Sequence, residues 1–178
     1  PGSLVPASPQ FNPLGHFEES GWKEIGVEVE RIKMITPDIL SRYKRAIKRL
    51  EVPPVWAVKD PYLSWSLSQV VRLFDYEVRV IAIHRAFGSV VASRVPHSRL
   101  TRAEAEAHQL WQAQSLYDNL RCLNAPTLHV DYERLVSDTT KTVEEVSDFV
   151  WEGLTNVELT DAGIGRAVAF VDEGLKHH

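Results

Sequence analysis

The chain has 178 residues, 44% of them apolar and 25% charged, a balance that suits one globular domain with a substantial core. Its 20 Lys plus Arg against 24 Asp plus Glu leave a net charge of −4, which argues against general nucleic-acid binding, because neutralising phosphates takes a concentrated basic face. No segment nears the roughly 20 apolar residues of a membrane span, no charged-then-apolar secretory signal occurs, and the single cysteine, Cys122, excludes an intramolecular disulfide. The expectation is a soluble cytoplasmic protein of one domain, residues 1 to 178.

Residues 1 to 16, PGSLVPASPQFNPLGH, hold four prolines and two glycines and read as an extended N-terminal arm. From Phe17 to about Met34 apolar residues recur at helical spacing, at Trp22, Ile25, Val29 and Ile32. Thr36-Pro37-Asp38 supplies an N-cap with proline at the first helical position, and the helix it opens runs to about Leu50. Arg42, Lys44, Arg45, Lys48 and Arg49 wrap one side of that helix. Ile39, Leu40, Tyr43, Ile47 and Leu50 line the other, so the basic cluster reads as a solvated face.

Pro53-Pro54 stops the helix, and Val55 to Val58 reads as a short buried strand ending at Lys59-Asp60-Pro61. Tyr62 to Phe74 is helical by the spacing of Leu63, Leu67, Val70, Val71 and Phe74. Val78 to Ile83 is a second buried strand, and Ala86 to about Val95 is the helix behind it, closed by Pro96. Thr101 to Leu123 is the longest periodic segment, with Ala103, Ala107, Leu110, Trp111, Tyr117 and Leu120 on one broad face, and Cys122 reads as a packed core thiol. Pro126 to Asp131 supplies a third strand. Ser137 to Trp151 follows as a helix, with Thr142 and Glu145 as a capping box, Gly153 as its stop and a last helix from Thr160 to about Val171.

Three short apolar strands separated by helices predict an α/β fold: three layers, with a mostly parallel sheet and helices on both faces. In such sheets ligands bind beyond the carboxyl ends of the strands. The run VRVIAIHRAFGSVVAS, Val78 to Ser93, therefore stands out. Its strand ends at His84-Arg85, where a lone arginine followed by Ser89 and Ser93 is placed to hold an anion. The alternative for Arg85 is an ion pair with Asp75, Glu77 or Asp131, and for Ser89 and Ser93 the close packing of small helix residues. His16, His84, His97, His108 and His129 show no H-x-x-x-H spacing, so no metal is expected; His84 is expected to pack beside the strand end.

Several segments together resemble the sulfotransferase family, bacterial-type members of which move a sulfuryl group from 3′-phosphoadenosine 5′-phosphosulfate (PAPS) on a P-loop NTPase-like fold. Arg85 and Ser93 have the spacing of that family's 3′-phosphate pair. Lys59-Asp60-Pro61 is similar to its second strand end, and Asp131-Tyr132-Glu133-Arg134-Leu135 to its strand-to-helix segment. Asn12-Pro13-Leu14-Gly15-His16-Phe17-Glu18 and the closing Phe170 to His178 also resemble stretches of the family, in the family's order.

The resemblance implies PAPS or adenosine 3′,5′-bisphosphate as nucleotide, without a metal. It implies Arg85, Ser93 and Ser89 as nucleotide-binding residues and Lys59 near the transferring group. Glu18 or Glu19 would then be the base that takes the proton of an acceptor hydroxyl or amine. The bland alternatives are a surface lysine beside Asp60 and first-turn carboxylates favoured by a helix dipole. The family's first strand and Gly-rich phosphosulfate loop have no counterpart in these residues, so the expected enzyme is weak or inactive as this chain. The competing expectation, from a different class, is a non-enzymatic relative acting as an interaction module, a homo-oligomer paired through an uncovered sheet edge.

Overall fold

The computed structural model describes residues 4–5, 16–50, 58–75 and 77–152, with the backbone alone for 4–5, 16–20 and 49–50. The chain divides into two compact units, residues 1–76 with 110–124, and residues 77–109 with 125–178.

The first unit starts from a short antiparallel pair, β1 (Leu4–Val5) with β2 (His16–Glu19). The helix expected from Phe17 begins only after this pair, as α1 (Ser20–Ile32), because the backbone of residues 16–19 is committed to the strand. α1 ends where Lys33 turns into the left-handed region, at φ 56°. Its Trp22, Ile25 and Val29 recur at three- and four-residue spacing and are buried.

α2 (Pro37–Leu50) starts as its sequence requires, with Thr36 Oγ1 accepting a 3.3 Å bond from the Ile39 amide and Pro37 at the first position. Ile39, Tyr43, Ala46 and Ile47 form its buried face. Lys44, Arg45 and Lys48 lie exposed on the other side, and Arg42 pairs with Glu28 of α1, so the basic cluster is a solvated face. The rings of Trp22 and Tyr43 lie 5.2 Å apart at the centre of this core. Burying side chains of this size stabilises by roughly 1.5–3 kcal/mol each.

The helix expected over 62–74 is two pieces, a 3-10 helix (Pro61–Trp65) and α3 (Leu67–Val71). The break is Ser66, at φ −134°, whose buried hydroxyl lies 3.3 Å from the Tyr43 hydroxyl. Asp60 Oδ1 caps the 3-10 helix by accepting from the Tyr62 amide at 2.8 Å. The strand expected at 55–58 lies outside the described residues except for Val58.

α5 (Arg102–Arg121) passes from the second unit into the first. Its start is a capping box: Glu104 Oε2 accepts from the Thr101 amide at 2.8 Å while Thr101 Oγ1 accepts from the Glu104 amide at 3.3 Å. The apolar face read from the sequence is buried only in part. Trp111 packs on the core with its ring centre 3.6 Å from that of Trp65 and Leu120 is half-buried, whereas Ala103, Ala107, Leu110 and Tyr117 are exposed, and polar Gln112 and Asn119 share the inner side. Asn119 accepts from the Ser68 amide (2.9 Å) and hydroxyl (2.7 Å) and donates to the Ser64 carbonyl (3.1 Å), while Gln112 donates to the Pro61 carbonyl. These bonds satisfy buried polar groups of the 3-10 helix and α3, which an apolar face would leave unpaired. Cys122, expected in the core, is exposed just past the end of α5.

The second unit holds a parallel pair, β3 (Val80–His84) with β4 (Thr127–Asp131), in the register Val80 to Thr127 through His84 to Asp131. β3 leads into α4 (Phe87–Ser98), which continues through Pro96 and ends at Arg99, φ 55°. Pro96 sits in the last turn of α4 and, having no amide, donates nothing to the Ala92 carbonyl four residues back. β4 leads directly into α6 (Tyr132–Ser137), capped by Asp131 Oδ1 on the Arg134 amide at 2.8 Å. α7 (Thr139–Trp151) follows after a turn at Asp138.

The expected capping box at Thr142 and Glu145 does not form. Thr142 is buried and donates to the Asp138 carbonyl at 2.9 Å, and Glu145 pairs with Arg134 at 2.6 Å. The C-terminal end of α7 is held by Arg79, which donates to the Phe149 and Glu152 carbonyls. The fold is α/β and mostly helical. Among the described residues its parallel sheet has two strands.

Candidate functional site

Parallel pairing in register brings the carboxyl ends of β3 and β4 to one edge, and a helix starts just beyond each. Arg85 follows β3 immediately, and Tyr132 follows β4. The Arg85 guanidinium carbon lies 4.6 Å from the centre of the Tyr132 ring, a cation-π arrangement that orients the side chain without neutralising it. Its Nε is buried and has no hydrogen-bond partner among the described residues, nor does any of their carboxylates form an ion pair with Arg85. The alternative of a pairing with Asp75, Glu77 or Asp131 is therefore not what the structure contains.

Ser89 and Ser93 are four residues apart and so share one face of α4, in its first two turns. Ser89 is half-buried and Ser93 exposed. The amide of Ala86, which N-caps α4, donates to Glu133 Oε1 at 3.1 Å. A carboxylate thus already occupies one donor at the start of this helix.

Two histidines complete the edge. His84 and His129 stack with ring centres 5.1 Å apart, and His84 Nε2 lies 2.8 Å from His129 Nδ1, so one ring donates and the other accepts. His84 packs beside the strand end as expected, though against another histidine. Burial lowers the His84 pKa below its ordinary 6.5, and the neighbouring His129 lowers it further, while Asp131 acts in the opposite direction. His129 was not legible as a site residue, because only the pairing register places it next to β3.

The remaining predicted residues belong to the first unit. Lys59 is exposed and directly precedes the Asp60 cap. Glu18 and Glu19 end β2, so they are strand residues rather than the first turn of a helix, and Glu19 directly precedes the first residue of α1. Their side chains lie outside the described residues.

Among the described residues no group of three or more His, Cys, Asp and Glu side chains is arranged to hold a metal ion, and no helix is long and apolar enough to cross a membrane. At this strand edge stands a guanidinium that is held over the Tyr132 ring and has no carboxylate partner among the described residues, a group able to bind a phosphate or sulfate. The chain matches no protein-family model, no curated protein and no solved structure.

Proposed function

We propose that this chain is a sulfotransferase-like α/β protein whose Arg85 site binds the 3′-phosphate of a nucleotide such as adenosine 3′,5′-bisphosphate or PAPS. The observation that carries the reading is the Arg85 guanidinium: it stands at the end of a parallel strand, is oriented by Tyr132, and has no carboxylate partner among the described residues. Ser89 and Ser93 would add hydroxyl donors from α4. The finer fold reading, a three-layer P-loop-like sheet, is supported by the parallel β3 and β4 strands and the helices that follow each.

By resemblance, the reaction is in-line transfer of a sulfuryl group to a hydroxyl or amine. Lys59 would offset charge on the departing oxygen, and Glu18 or Glu19 would take the acceptor proton. These 178 residues carry no Gly-rich phosphate loop, so the proposal is nucleotide binding with weak catalysis or none.

Isothermal titration with adenosine 3′,5′-bisphosphate and with adenosine 5′-monophosphate tests the reading. The parent is expected to prefer the bisphosphate, and Arg85→Ala to weaken it by about 10–100-fold, the range for losing a charge-assisted bond. Glu133→Gln is expected to tighten binding, because it removes a negative charge next to the same helix start. Equal affinity of parent and Arg85→Ala for the bisphosphate would remove Arg85 from the site.

A further inference from the structure

Parallel pairing gathers two imidazoles and a carboxylate on one face of the β3 and β4 ends. Ala82 lies opposite His129 and His84 opposite Asp131, so His84, His129 and Asp131 project from the same side of the pair. The imidazole planes are 14° apart and the ring centres 5.1 Å apart, while the facing nitrogens, His84 Nε2 and His129 Nδ1, are 2.8 Å apart. Both nitrogens therefore lie between the ring centres, and the free lone pair on one points at the N–H of the other. The two residues are exposed, so an ion reaches this gap from water.

We propose that the gap is a binding site for a late first-row divalent metal ion, Zn²⁺ or a close relative, which takes the place of the shared proton and bridges His84 Nε2 and His129 Nδ1. The ring that had donated keeps its proton at its outer nitrogen, so each ligand is a neutral imidazole and the neutral pair releases no net proton. Tetrahedral coordination, at roughly 2.0–2.1 Å per bond, sets the two nitrogens about 3.3 Å apart. That is about 0.5 Å wider than the hydrogen bond, an opening that small rotations of two exposed side chains supply. Water takes the remaining positions, which makes the site an open one.

The ionisable neighbours that act on His84 are His129 and Asp131, and the Asp131 carboxylate favours positive charge there. Asp131 itself stays in place as the cap of α6, through Oδ1. Other charges at this edge are engaged elsewhere: Arg85 over the Tyr132 ring, Glu133 at the Ala86 amide and Arg134 with Glu145. Imidazole nitrogen suits zinc, copper and nickel, whereas Mg²⁺ and Ca²⁺ take oxygen ligands. The absence of an H-x-x-x-H spacing in the sequence has no bearing on such a site, because its ligands come from two strands, 45 residues apart in the chain. The site uses neither Arg85 nor the serines of α4, so it stands independently of the nucleotide reading.

Isothermal titration of the full chain with Zn²⁺ at pH 7 tests the proposal, in a His177→Gln, His178→Gln background that removes the two adjacent histidines at the chain end. One ion is expected per chain, and Mg²⁺ should not compete. His84→Gln and His129→Gln should each weaken binding by about tenfold or more, since at metal sites even the loss of a group that supports a ligand costs that much. His97→Gln, exposed on α4, should leave the affinity unchanged. Thermal melts in EDTA establish that the variants are folded. A second readout needs no variant at the pair: on adding less than one equivalent of Zn²⁺, the assigned ring signals of His84 and His129 should shift together, ahead of the other histidines. No zinc binding, binding that survives both substitutions, or a ring shift at His97 or His108 ahead of the pair would each overturn the proposal.

Discussion

His84 Nε2 and His129 Nδ1 lie 2.8 Å apart between stacked rings at the carboxyl edge of the parallel strands. Two imidazolium ions cannot share that geometry, because the bond needs one ring nitrogen free to accept. Burial, and then His129, push the His84 pKa below 6.5. A basic group with a lowered folded pKa binds fewer protons when folded. Its contribution is therefore full above its unfolded pKa and is lost as pH falls below about 6.5 towards the folded value. Urea unfolding at a series of pH values should show stability falling on acidification through this window, with a shallower fall in His84→Gln. An identical slope in the variant would refute the assignment.

Tyr43 produces the mirror-image effect at high pH. Burial raises its hydroxyl to about 12 from an ordinary 10.0, against the opposing bond to Ser66. The folded state holds its proton between those values while the unfolded chain gives it up. Stability should therefore be complete below pH 10 and decline from there to about 12. Tyr43→Phe should flatten that decline and cost about 1 kcal/mol at neutral pH for the lost hydrogen bond. Tyrosinate absorbance during alkaline titration gives the direct readout.

Gly26 is needed in α1 for space rather than for backbone freedom. A Cβ at this position would overlap the Cβ of Tyr62 and lie 2.9 Å from its Cγ. Alanine gains about 1 kcal/mol of helix propensity but meets an overlap of a kind that costs about 1–3 kcal/mol. Gly26→Ala should therefore destabilise on balance, measured by the urea midpoint. In a Tyr62→Gly background, which removes the Cβ that the new methyl would meet, the same change should be neutral or stabilising, which separates the clash from any loss of glycine's flexibility.

Asn119 joins α5 to the serine-rich segment through both ends of its amide. Its oxygen takes the Ser68 amide and hydroxyl, and its nitrogen reaches the Ser64 and Ser115 carbonyls. Asn119→Ala leaves the buried Ser68 groups without this acceptor and should cost about 1–3 kcal/mol. Amide hydrogen exchange offers a local check, with protection at Ser68 falling more than protection in α2.

Much of the local structure could be read from residue order. Thr36-Pro37 fixed the start of α2, and the 3-4 spacing of Ile39, Tyr43 and Ile47 identified its buried face. The alternation of strand and helix from Val80 to Ser137 pointed to a parallel pair with Arg85 at its end. These features depend on caps, spacing and chain connectivity, which act between near neighbours. The T-x-x-E spacing occurs at both Thr101–Glu104 and Thr142–Glu145, but only the first forms a capping box, because the buried Thr142 bonds backward to the Asp138 carbonyl instead.

Other features were set by partners distant in sequence. The apolar spacing of α5 suggested one core face, of which Trp111 does pack on Trp65, but Asn119 and Gln112 share the inside to satisfy Ser64 and Ser68, and Leu110 and Tyr117 face outward. The β3 to β4 register alone brings His129 against His84 and Tyr132 beneath Arg85. By itself, then, the sequence determined where α2 starts and that an arginine ends a strand, because those follow from short-range hydrogen bonding and periodicity. Only the tertiary structure decided which residues of α5 turn inward and what surrounds Arg85, because satisfying buried polar groups depends on residues that the fold brings together.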